Sequence, residues 1–304
     1  MRSVAHGRVA FSVAGGILLA CGLMTPAHAQ SADYTSGTLA KVRATGTIEL
    51  GVRQSAKPFS YRLPDGTPAG YAVDLCYGIL RKISAGLRGR PLTTTWHTVT
   101  PETRIPMVVA GDVDLECGST TKTEQRQKLV AFSPVFFIAG TKLLVPAGSA
   151  VQSYRDLGGR TVAVLSGTTN EAAMHTLADR LLIRMTFVAV PDHAQAMTVL
   201  RSGSADALAN DDVLLAGLAA SPEGSGYMVV GDYLSYEPYG LMFRKDDSGF
   251  AALIESSFRE MAARRELAAL YQKWLVDRLP SGEVLNIPMS AELTQAFRLL
   301  GQPD

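Results

Sequence analysis

The sequence predicts an α/β protein of two lobes, each a mostly parallel sheet flanked by helices. Three observations lead there. Strand and helix patterns alternate along the chain, one helix–glycine–strand unit occurs twice, and enough length remains behind an N-terminal export segment for two cores.

The export segment comes first. Arg2 and Arg8 give a positive start, residues 9–24 are an almost unbroken apolar run, and Thr25-Pro26 breaks it before Ala27-His28-Ala29. That order is a signal peptide over residues 1–29, because the run is too short and wrongly flanked for a membrane anchor. Leu18-Leu19-Ala20-Cys21 also resembles a lipoprotein signal, which would place a lipid on Cys21. Of the 304 residues about 275 remain after cleavage, with no second run long enough to span a bilayer. The net charge of +1 becomes about −1 without Arg2 and Arg8, so no clustered basic excess points to nucleic acid. Cys76 and Cys117 remain, either as a disulfide in an oxidising compartment or as two small buried apolar residues.

A polar leader over 30–46 precedes the first strand, 47–52. Apolar residues at helical spacing mark a helix over 71–87, followed by a β-branched strand at 92–97, a short helix at 104–110 and a strand at 113–116. The rhythm resumes with strands at 161–165, 185–190 and 205–209, and helices at 170–179 and 193–201. The tail over 249–279 reads as helical, with Phe258, Met261, Leu267, Leu270 and Trp274 in one core-facing stripe. Residues 107–115 and 198–207 echo each other: helix, glycine stop (Gly111, Gly203), then a strand introduced by an aspartate (Asp114, Asp206).

Open α/β sheets bind ligands beyond the carboxyl ends of their strands, so the residues there are the candidate site. Arg53 follows the first strand, and Ser119, Thr121 and Arg126 follow the strand at 113–116. Thr121 with Glu124 reads as a capping box, so a helix start there would offer amides, hydroxyls and Arg126 to one carboxylate. Ser166-Gly167-Thr168-Thr169 repeats the arrangement after the strand at 161–165. Helix capping explains these hydroxyls equally well, and each arginine alone suits a solvated surface.

Several runs carry a family resemblance. Gly70-Tyr71-x-x-Asp74-Leu75 is similar to the signature of family 3 extracellular solute-binding proteins. Glu116-Cys117-Gly118-Ser119-Thr120-Thr121 with Arg126 resembles the glutamate/aspartate-binding subgroup. So do Arg104-Ile105-Pro106, Ser166-Gly167-Thr168-Thr169, Asp192-His193, Asp211-Asp212 and Arg244-Lys245-Asp246-Asp247. The resemblance implies a type II periplasmic-binding-protein fold with two chain crossings as hinge, near 137–141 and 239–243. Lobe 1 would hold residues 47–138 and 241–304, the latter with the C-terminal helices, and lobe 2 residues 139–240. It implies a monomer that binds L-glutamate or L-aspartate without cofactor, closes over it, and docks an ABC transporter permease. Arg126, Thr121 and Thr169 would take the α-carboxylate. Asp211 and Ser119 would take the ammonium, and Arg53, Arg104 and His193 the distal carboxylate. Asp212 would cap the following helix, and Phe59 and Tyr61 would pack on ligand methylenes or fill the core. Glutamine, lacking the second carboxylate, should be rejected. One position departs from the subgroup: Pro101 stands where a serine hydroxyl ordinarily assists the distal carboxylate, and proline has neither hydroxyl nor N–H. A lost hydrogen bond to a charged group weakens binding by about 1.5–3 kcal/mol unless Thr103 or water replaces it.

Two other readings compete. The same fold carries dehydratases, for which Asp211 could act as acid or base, but no metal spacing or familiar catalytic motif occurs. Identical lobes could also serve a sensor as its soluble ligand partner.

Overall fold

The computed structural model describes Met1 and residues 34–303. The expected signal peptide, with Cys21, therefore lies outside the described residues apart from Met1. The chain begins with α1 (Gly37–Thr45), β1 (Thr47–Val52) and a small three-stranded antiparallel sheet of β2 (Ser55–Ala56), β3 (Ser60–Arg62) and β4 (Pro68–Ala69). Then come α2 (Tyr71–Gly86), β5 (Thr93–Thr98), α3 (Arg104–Ala110), β6 (Leu115–Thr121), α4 (Glu124–Gln127), β7 (Val130–Phe132) and β8 (Phe137–Ala139). The second lobe contains β9 (Thr141–Pro146), β10 (Thr161–Leu165), α5 (Thr169–Leu181), β11 (Thr186–Val190) and α6 (His193–Arg201). It is completed by β12 (Ala207–Asp211), α7 (Asp212–Ala219) and β13 (Tyr227–Val230). The chain returns through β14 (Glu237–Arg244) to α8 (Ser248–Ala263), α9 (Glu266–Tyr271) and α10 (Ala291–Leu299).

Two sheets among the described residues carry the two lobes. The first runs β5-β1-β6-β14-β7, with β8 also on β14; the second runs β11-β10-β12-β9-β13. In each, three parallel strands joined by helices meet antiparallel strands. Parallel pairs need helical crossovers, whereas β9 and β14 enter straight from the other lobe and so can run antiparallel. The outward crossing is Gly140, between β8 and β9. Residues 231–236 lead back from β13 to β14, which pairs with β8 from Glu237 onward.

The sequence echo has a structural cause. Gly111 and Gly203 both take left-handed φ (85° and 72°) just after their helices, where glycine meets no Cβ penalty. Each aspartate beyond then fixes a neighbouring parallel strand. Asp114 Oδ2 accepts from Glu49 N at 2.9 Å, and Asp206 Oδ2 from Thr161 N at 2.8 Å.

α2 buries Tyr71, Ala72, Leu75, Cys76, Ile79 and Ile83, as its helical spacing predicts. Asp74 of the Gly-Tyr-x-x-Asp run accepts from Trp274 Nε1 and Lys273 Nζ, each at 2.7 Å, tying this helix to the C-terminal segment. Cys76 and Cys117 form a disulfide with Cα atoms 6.1 Å apart, joining α2 to β6. The tail is not one helix: α8 stops at Ala263, Arg265 takes φ 56°, and α9 passes into a wider turn over Gln272–Val276. No helix of the described residues is long and apolar enough to cross a membrane.

Candidate functional site

The carboxyl ends of the parallel strands in both sheets face one cleft. Arg53 leaves β1 with its amide donating to Ser60 Oγ at 2.9 Å, which fixes where the side chain starts. Arg104 opens α3, behind a turn locked by Thr100 and Thr103, whose hydroxyls accept from each other's amides. Its Nη1 donates to Thr120 Oγ1 at 2.7 Å, while its buried Nε has no partner within the protein.

β6 runs through to Thr121, so Ser119 and Thr121 belong to the strand rather than to a loop beyond it. The capping box expected at Thr121 and Glu124 is not formed. Thr123 caps α4 instead, its Oγ1 accepting from Arg126 N at 3.1 Å. β6 is extended because β14 pairs along it to Thr121. Arg126 reaches across the cleft, donating to Thr121 O at 3.0 Å and to Gly167 O at 3.2 Å.

From the second lobe, Thr168 caps α5 by accepting from Glu171 N, which leaves Thr169 free of that task. Thr169 Oγ1 donates to Glu237 Oε2 at 2.6 Å and lies 3.4 Å from Thr121 Oγ1. Likewise Asp192 caps α6, and His193 at the helix start is buried. Asp211 ends β12, with Oδ1 accepting from Asn170 Nδ2 at 2.8 Å and Oδ2 from the Tyr239 hydroxyl. Asp212 is not the expected cap. It holds the crossing, accepting from Gly140 N at 3.3 Å and from Tyr233 OH at 2.9 Å.

Arg53, Arg104, Ser119, Thr121, Thr169, His193 and Asp211 all line one narrow cavity, with about 10 Å³ of free space. Pro101, Leu165, Thr168, Asn170, Asn210 and Leu214 complete the wall. Arg126 stands beside this wall, its guanidinium partly engaged by the two carbonyls. Phe59 belongs to an aromatic cluster, 5.0 Å from Phe137 and 5.2 Å from Tyr239 between ring centres, and Tyr61 packs on Trp274. Both fill the core instead of lining the cavity.

A family model described as bacterial extracellular solute-binding proteins, family 3, matches residues 48–277. The chain belongs to that family. An L-glutamate/L-aspartate-binding protein of Pseudomonas aeruginosa is 37% identical over 289 residues, covering 94% of this chain and 95% of the relative. A glutamate/aspartate import solute-binding protein of Escherichia coli is 33% identical over 270 residues, 88% and 89% of the two chains. Among solved structures, an ancestral arginine-binding protein bound to glutamine matches with TM-score 0.68 at 27% identity, covering 75% of this chain and 97% of that one. An ancestral amino acid-binding protein, a precursor of cyclohexadienyl dehydratase, matches with TM-score 0.66 at 27% identity, covering 79% and 99%. The two-lobe α/β architecture is thus the type II fold of this family.

Within this family member three buried guanidiniums, Arg53, Arg104 and Arg126, meet at the cleft. Burial, and then the charge of Arg104, lowers Arg53 to about 9; the same causes lower Arg126 to about 10, and burial lowers Arg104. Guanidinium groups stay charged under such shifts, so the direction reports charge held away from water, which an anion in the cleft would stabilise. Burial and then Arg53 push His193 down to about 3, so the ring is neutral at ordinary pH. Its tautomer follows from its neighbour. Asp211 N donates to Asn210 Oδ1 at 2.7 Å, which orients that amide, and Asn210 Nδ2 lies 3.3 Å from His193 Nε2. Nε2 therefore accepts and the proton sits on Nδ1, a buried donor with no protein partner. Asn170, Asn210 and Glu237 were not singled out from sequence, and Glu116 and Thr120, though part of the resembling run 116–121, were given no role in the site. The available signal for Glu116 was an acidic residue at the carboxyl end of the strand expected over 113–116.

Proposed function

We propose that the protein binds an acidic amino acid, glutamate or aspartate, in this cleft, and delivers it from the periplasm to an ABC transporter permease. The observation that carries the reading is the set of buried donors without protein acceptors, Arg104 Nε and His193 Nδ1, on the same wall as Arg53. Buried charged donors need partners, and a second carboxylate supplies acceptors that an amide supplies only in part. In this reading Arg53, Arg104 and His193 take the distal carboxylate, His193 as a neutral donor. Arg126, Thr121 and Thr169 take the α-carboxylate, and Asp211 with Ser119 takes the ammonium. The names of the Pseudomonas and Escherichia relatives support the ligand class. The lobes close about Gly140 and residues 231–236, with Arg126 reaching Gly167 as one closing contact. The export segment over 1–29 is removed, and the mature protein acts as a monomer.

Thermal-shift screening of the mature protein against the twenty amino acids tests this. Glutamate or aspartate should raise the melting temperature most. A larger shift with a neutral or basic amino acid would overturn the ligand class, and turnover of prephenate or arogenate would overturn the assignment as a binding protein.

A further inference from the structure

Beneath the two distal arginines lies a carboxylate to which the ligand assignment gives no role. Glu116 is fully buried on β6. Its Oε2 accepts from Thr120 Oγ1 at 2.7 Å, and that same oxygen accepts from Arg104 Nη1 at 2.7 Å. A hydroxyl can do both, having one proton and two lone pairs. Glu116 Oε1 has no partner, and it occupies the space beside Gly118. A Cβ there would lie 2.1 Å from Oε1 and 3.5 Å from Arg53 Cγ. Residues 116, 118 and 120 share one face of the strand, so the glycine is the gap that lets the carboxylate lie along Arg53 while reaching Thr120.

We infer that Glu116 is a positioning and specificity-determining residue: through Thr120 it holds Arg104, and its charge offsets one of the two distal guanidiniums. The distal end then carries one uncompensated positive charge and takes a ligand side chain with a single carboxylate. The inference rests on the acidic-ligand reading above. A bland structural role would require only that Glu116 fill space and satisfy Thr120, which glutamine would do equally well.

The test is calorimetric titration of glutamate and glutamine into wild type, Glu116→Gln, Thr120→Val and Thr120→Ser. Glu116→Gln keeps an oxygen for Thr120 but removes the charge, so the ratio of glutamate to glutamine affinity should rise by about tenfold or more, as expected for unit charges several ångströms apart at an effective dielectric constant near 20. Thr120→Val releases Arg104 and should lower the ratio about tenfold, with Thr120→Ser restoring it. An unchanged or lowered ratio in Glu116→Gln overturns the inference. So does an equal loss of both ligands in Thr120→Val, which keeps the test decisive if Glu116→Gln fails to fold. A wild type that binds glutamine as well as glutamate overturns the acidic-ligand reading and this inference together. A selective wild type with an unmoved ratio in Glu116→Gln overturns the inference alone.

Discussion

Ligand binding should weaken sharply as pH falls below 7, because of Asp211. Burial, then the neighbouring Glu237, raises its carboxyl from 3.8 to about 7, against hydrogen bonds from Tyr239 and Asn170 that favour the charged form. The ligand ammonium needs this group ionised. Beside that ammonium the carboxyl falls back toward its ordinary range, so binding releases a proton below pH 7. With half of the carboxyls already protonated at pH 7, affinity falls roughly 50-fold, or about 2 kcal/mol, between pH 7 and 5. His193 titrates near 3 and a free glutamate side chain at about 4.3, so both lie below this window. Without ligand the sign for stability is opposite. The folded carboxyl binds its proton more tightly than the unfolded one, so its contribution is present at low pH and is lost as pH rises from about 4 to about 7. Calorimetric titration at pH 5, 6, 7 and 8, in buffers of different ionisation enthalpy, reads both affinity and proton release. Asp211→Asn should weaken binding and flatten the profile. A wild-type Kd that is constant from pH 5 to 8, or that tightens at low pH, would refute the placement of the ammonium at Asp211.

The arginines should separate by role. Arg126→Ala should abolish binding of all amino acids, whereas Arg104→Ala should mainly lose the preference for acidic side chains; equal losses for glutamate, aspartate and glutamine in Arg104→Ala would contradict its distal assignment. Reducing the Cys76–Cys117 disulfide, which closes a 41-residue separation, should destabilise the fold by up to about 4 kcal/mol, read by denaturant melts with and without reductant. Gly70 has φ 133° and its Cβ would stand 2.2 Å from Phe59 O, so Gly70→Ala should cost more than about 3 kcal/mol in the same assay; near-wild-type stability would show the backbone there can yield.

Legibility from sequence followed periodicity. The bounds of β1, α3, β10 and α6 coincide with those read from the sequence, because parallel strands and their crossover helices carry strong apolar patterns. α1 lay hidden in a polar leader, since only Thr38, Leu39 and Val42 of its nine residues are buried. The antiparallel strands β7, β8, β9, β13 and β14 depend on long-range pairing that no local pattern reports. β14 in turn extended β6 and moved the helix cap from Thr121 to Thr123. The cleft residues were recognisable from motifs at strand ends, but their partners were not. Asn210 sets the tautomer of His193 from 17 positions away, and Glu237 meets Thr169 from 68. Such contacts are properties of the fold rather than of any window of sequence. The departure at Pro101 is visible in both: it lines the cavity with an apolar ring where a hydroxyl would assist a carboxylate.

The most direct test of the central claim is titration of the purified mature protein with glutamate, aspartate and glutamine at pH 7.5. Saturable binding of glutamate or aspartate, with glutamine at least about 100-fold weaker, is expected from two distal guanidiniums left short of a carboxylate. Glutamine binding as tightly as either acid would contradict it.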